Sequence, residues 1–199
     1  MSIDFEHAHT CHGLPAVEVA QRIELFFMDE GYTRVQENDC LHFKRGTGWA
    51  KWQIEQCETH VIVCLQPMQD SVRLDAHVTV QAIQAFVSQI DRMYWQLEWR
   101  SLLAVLAGEH VPDWKAAYVA CRNDYTRKVL PLFYGLLFLF GLLTLAALSR
   151  VGVLPWGTIP LLAVGYVTSQ CIGTTLLGLA LVNLIKPSKT ADQLWKEVQ

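Results

Sequence analysis

The chain has 199 residues, is 52% hydrophobic and carries a formal net charge of −3. That balance shows no basic excess, and no RNA- or DNA-binding motif accompanies it, so nucleic acid is excluded as a partner. The apolar residues are concentrated in the last third, which points to a polar head followed by a different kind of segment.

At the N-terminus Ile3, Phe5, His7 and His9 alternate with Asp4, Glu6, Ala8 and Thr10, the period of two of a half-buried strand. The start is neither basic nor apolar, so no signal peptide is expected. His7, His9 and Cys11 would project from one face of this strand. Imidazole and thiolate are transition-metal ligands, so a transition metal is the cofactor these three residues would hold. Metal motifs normally draw on two segments, and no second cluster with ligand spacing is evident. The six cysteines, at positions 11, 40, 57, 64, 121 and 171, form no CxxC pair, and reduced thiols are expected.

Leu14 to Glu30 carries Val19, Ile23, Phe26 and Phe27 at helical spacing and ends near Gly31. Short strand-like runs follow at Tyr32 to Gln36, Cys40 to Arg45, Trp49 to Gln56, His60 to Gln66 and Val72 to Val80. Arg45-Gly46-Thr47-Gly48 lacks the pattern of a phosphate loop and reads as a hairpin turn. Trp49 and Trp52 beside it fall on opposite strand faces.

Ile83 to Gly108 reads as a long helix. Phe86, Ile90, Met93, Leu97 and Ala104 form one apolar stripe, suited to covering a sheet. Trp95, Trp99, Leu102 and Leu106 form a second, whose spacing suits a soluble helix interface with Trp114, Ala117, Tyr118, Cys121 and Tyr125, with another subunit or with the membrane surface. Asp91 and Glu98 are seven apart and read as solvated surface carboxylates. No GxSxG elbow or Cys-His signature is present, so the chain is not expected to be an enzyme.

Residues 129–149 and 151–185 carry no charge. Each is long enough to cross a bilayer, which needs about 20 apolar residues. Lys115, Arg122, Arg127 and Lys128 precede the first tract and Lys186, Lys189 and Lys196 follow the second, with only Arg150 between them. This bias places head and tail in the cytoplasm. In the second tract Gly165, Ser169 and Gly173 recur every four residues, a small-residue face for helix packing. Thr190-Ala191-Asp192-Gln193 begins a short interfacial helix with Trp195 at its lipid boundary.

The sequence thus predicts an α+β head with an antiparallel sheet and helices on one face, in the order β-α-β-β-β-β-β-α, followed by an all-α two-helix transmembrane hairpin. A curved sheet gripping the long helix is the preferred form, with a flat two-layer sandwich behind it. The boundaries are a head at 1–110, an amphipathic linker at 111–128, spans at 129–149 and 159–185 around an outer turn at 150–158, and a tail at 186–199. The expected location is integral to the plasma or inner membrane. The expected partners are the lipid bilayer and either further copies of the chain or a larger membrane complex. The function expected is non-catalytic: an anchored binding, scaffold or accessory-subunit module whose head takes a partner protein or a small apolar ligand. An oligomeric pore or membrane-disrupting effector, and a metal- or cofactor-dependent membrane enzyme, are the alternatives.

Overall fold

The computed structural model describes residues 3–35, 40–46, 57–81, 88–150, 173 and 185–199. Five strands form one antiparallel sheet: β1 (Ile3–His12), β2 (Thr33–Val35), β3 (Leu41–Arg45), β4 (Thr59–Pro67) and β5 (Ser71–Val80). Their order across the sheet is β1-β5-β4-β3-β2, so the first strand closes against the last. The run Trp49 to Gln56, expected as a further strand, lies outside the described residues, as do Thr47 and Gly48 of the expected turn.

The register explains the core. Phe5 pairs with Val78, Val78 with Val61, and Val61 with Phe43, so these alternate residues share one face of the sheet. Val61, Val78 and Phe43 are buried. Their sequence neighbours Glu6, His77, Ile62 and His42 occupy the opposite face, because side chains alternate along each strand.

Helices α1 (Ala16–Asp29) and α2 (Gln89–Ala107) meet the apolar face. Phe27 of α1 stacks on Phe43 at 4.8 Å between ring centroids, and Trp95 of α2 lies 5.1 Å from Phe5. Buried Val19, Ile23, Phe26 and Phe27 form the face that α1 turns inward. Burial of side chains of this size stabilises by about 1.5–3 kcal/mol each.

Two helix ends are closed in the same way. Gly31, at φ +81°, donates its N–H to Met28, and Tyr32 donates to Phe27. Only a residue tolerant of positive φ fits there, and the resulting turn satisfies two carbonyls left over by the helix. At the end of α2, Gly108, at φ +72°, donates its N–H to Val105, and Glu109 donates to Ala104. Arg22, paired with Glu18, also donates to the carbonyls of Val105 and Leu106.

α3 (Trp114–Arg150) and α4 (Ala191–Val198) complete the described elements. The chain divides into two compact units. The first comprises Met1–Val87, Asp91–Trp114 and Ala191–Gln199, and the second Ser88–Ile90 and Lys115–Thr190. In the first, Arg100 pairs with Asp192, and Leu194 and Trp195 of α4 are buried in protein rather than set at a lipid boundary. In the second, Tyr118, Cys121 and Tyr125 are buried along α3, while Leu130, Leu132, Tyr134, Phe138 and Leu143 are exposed.

Three expectations are corrected. Among the described residues no helix is long and apolar enough to cross a membrane. This overturns the transmembrane hairpin and with it the integral-membrane location in the plasma or inner membrane. Residues 129–149 are not a separate element but the distal part of a helix that begins at Trp114 and contains Pro131. The basic residues taken as topology signals have local work within that helix: Lys128 pairs with Asp124 and Arg122 lies over the Tyr118 ring. The tract 159–185 lies outside the described residues except for Gly173 and Ile185.

The second correction concerns thiols. Cys40 and Cys64 form a disulfide with Cα atoms 4.5 Å apart. Leu41 pairs with Val63, so Cys40 and Cys64 fall directly opposite each other, a relation that no local spacing motif reveals. The third is Glu98, which is buried rather than solvated.

Candidate functional site

The site grows from that glutamate. Around α2, Ile90, Met93, Leu97 and Ala104 of the first apolar stripe are buried, Phe86 lying outside the described residues, and so are Trp95, Leu102 and Leu106 of the second stripe. At about 100° per residue, Tyr94, Glu98 and Ser101 fall between the two stripes. They are therefore buried too. A carboxylate taken from water without a partner is strongly disfavoured.

Its partner arrives from β3. Arg45 donates from Nη1 to Glu98 Oε1 at 2.8 Å, and the two side chains are only 10% and 6% exposed. The helix-ending turn at Gly31 delivers Tyr32, whose hydroxyl donates to the other carboxylate oxygen at 3.0 Å. Arg45 also donates to the Glu30 carbonyl at 3.2 Å and the Tyr94 hydroxyl at 3.3 Å. Its planar group lies 4.2 Å from the centre of the Tyr32 ring, where the negative face of the ring attracts the cation.

Electrostatics follow from this geometry. Burial raises the Glu98 pKa above the ordinary carboxylate range, against the opposing charge of Arg45. Burial works against charge on Arg45, but Glu98, Tyr32 and Tyr94 together outweigh it and hold the guanidinium cationic. Burial and the adjacent Glu98 charge lift the Tyr32 hydroxyl well above its usual range. Tyr32 therefore acts as a donor throughout the accessible pH range.

Beside this cluster is a cavity of about 20 Å³, lined by His7, Phe27, Val61, Val78, Trp95, Glu98, Trp99 and Leu102. Its volume is about that of one water site. Six of its lining residues are buried, while His7 and Trp99 are half-buried and stack on each other at 4.6 Å. Burial lowers the His7 pKa, favouring the neutral ring against the indole. The Nε1–H of Trp95 is buried with no hydrogen-bond partner among the described residues. An unpaired buried donor of this kind calls for a water or a ligand acceptor.

The residues singled out from sequence fall in different places. Trp95 and Trp99 face Phe5 and His7 across the interior of the first unit, with Leu102 lining the same cavity. His9 is exposed and Cys11 is buried, where desolvation raises its thiol pKa. Among the described residues no group of three His, Cys, Asp or Glu side chains converges to hold a metal. Gly165 and Ser169 lie outside the described residues, and Gly173 is helical and half-buried. Local sequence does not mark Glu98, Arg45 and Tyr32 as a cluster, because they come from three separate segments. The available signal was the position of Glu98 between two apolar stripes, which leaves it no route to solvent.

Comparison with known protein families, with curated proteins and with solved structures gives no match for this chain.

Proposed function

We propose that the first unit is a non-catalytic binding module for a small apolar ligand bearing one hydrogen-bond acceptor, taken up between α2 and the β1–β5–β4 part of the sheet. The observation that carries this reading is the buried Nε1–H of Trp95, without a partner among the described residues, on a residue that lines a cavity whose wall is apolar apart from His7 and Glu98. Ligand pockets combine an apolar wall with a few placed polar groups, and this seam has that composition. The cavity itself is small, so a ligand enters by displacing the half-buried His7–Trp99 pair. Glu98 is already committed to Arg45 and Tyr32, and its role is to fix the wall behind the ligand.

Calorimetric titration of the full chain with a medium-chain ketone such as 2-octanone tests the proposal. Saturable binding of one ketone per chain is expected. Trp95→Phe should weaken it about tenfold, the equivalent of about 1.4 kcal/mol for one hydrogen bond. Leu102→Trp, which fills the cavity, should abolish it while the far-ultraviolet dichroism remains that of the wild type. Undiminished binding in a folded Leu102→Trp variant, or no saturable binding in the wild type, would overturn the reading.

A further inference from the structure

The opposite face of the sheet carries a second set of chemistry. His42 and His60 occupy it on adjacent strands, since His42 pairs in register with Ile62 and His60 with Lys44. His42 Nε2 and His60 Nδ1 lie 3.0 Å apart. On the far side of the second ring, His60 Nε2 lies 3.0 Å from Glu58 Oε1, and Lys44 Nζ lies 2.6 Å from the same oxygen. Lys44 Nζ donates to the Glu58 carboxylate, which can only accept, so the His60 nitrogen facing that oxygen is a donor. His60 therefore carries its proton on Nε2. Its Nδ1 is left with a lone pair, directed at His42.

We infer that His42 and His60 form a binding site for a divalent transition cation of the zinc class, with Glu58 as the positioning residue. Two nitrogens bound to one tetrahedral zinc at about 2.0–2.1 Å stand about 3.3 Å from each other. The observed separation is within a few tenths of an ångström of that. When the cation binds, the proton of His42 moves from Nε2 to Nδ1, and both facing nitrogens then offer lone pairs. A ligating imidazole whose other nitrogen donates to a carboxylate is the usual arrangement around zinc, because it fixes the tautomer and raises ligand basicity. Imidazole suits zinc, copper and nickel, whereas calcium and magnesium prefer oxygen. Water completes the coordination. This site is separate from the seam proposed for the apolar ligand, and from His7, His9 and Cys11.

The test is titration of the chelator-stripped full chain with zinc chloride in competition with a chromophoric chelator. One zinc per chain is expected. Glu58→Gln should weaken it by about 10–100-fold, as loss of such a carboxylate partner does. His42→Ala and His60→Ala should each weaken it further than that, and His9→Ala with His12→Ala should leave it unchanged. In the unmodified protein, nitrogen resonances of the His42 and His60 rings should shift as zinc is added. No zinc uptake by the wild type would overturn the inference. So would equal affinity in the His42→Ala, His60→Ala double variant, or ring shifts confined to other histidines.

Discussion

Lys44 and Arg45 are adjacent in β3 and each pairs with a glutamate, yet they face opposite sides of the sheet. Lys44 meets Glu58 at 2.6 Å, with side chains 42% and 18% exposed. Arg45 meets Glu98 at 2.8 Å in near-complete burial. The shorter contact is the weaker constraint on the fold. Water can replace either partner of the first pair, but nothing replaces a lost partner in the second. The difference also separates two kinds of chemistry: the apolar face builds a wall with one committed carboxylate, and the opposite face pairs a buried imidazole, His42, with the half-buried His60.

The largest expected effect breaks the dry pair. Glu98→Ala leaves Arg45 buried without its counter-charge and should destabilise by about 3–5 kcal/mol in urea unfolding. Replacing both residues together, as Arg45→Met with Glu98→Leu, should recover most of that loss, because two apolar side chains need no counter-charge. A single variant as stable as the wild type would remove the contrast between the faces.

A smaller effect comes from His7, whose folded-state pKa is lowered by burial against Trp99. The folded chain thus binds this proton less readily than the unfolded chain. Its contribution to stability is complete above the unfolded value of about 6.5 and is lost as pH falls through the folded value. His7→Phe should therefore lose less stability than the wild type between pH 7 and pH 5. Equal losses, read from urea midpoints at the two pH values, would show that the ring is not held neutral. Glu98 has the opposite sign: its raised pKa means a contribution present below the ordinary glutamate value and lost as pH rises through the folded one.

The smallest effect belongs to the wet pair. Lys44→Met should leave the urea midpoint nearly unchanged at pH 7, and added salt should act on the Lys44–Glu58 contact but not on Arg45–Glu98. A loss approaching that of Glu98→Ala would mean that the outer face is structurally as demanding as the inner one.

Much of the fold was legible where the signal is local. The alternation around Phe5 and His7, the alternation from Val72 to Val80, and the spacing of Val19, Ile23, Phe26 and Phe27 each fall in an element of the expected type. What was missed depends on register. Cys40 opposite Cys64, and His42 beside His60, become neighbours only once β3 is aligned on β4. The seven-residue separation of Asp91 and Glu98 suggested solvent, whereas the two apolar stripes flanking Glu98 decide its burial. Hydropathy taken alone cut Val129 to Ser149 out of a helix whose first turns carry Lys115, Arg122 and Asp124.

Ligand binding at the seam between α2 and the sheet depends most directly on the buried indole N–H of Trp95. Its Nε1–H resonance can be followed directly while 2-octanone is added to the full chain. The account predicts a saturable downfield shift of that resonance, with the midpoint found by calorimetry, while the indoles of Trp114 and Trp195 stay in place. A Trp95 resonance that does not move as the ketone binds would contradict it.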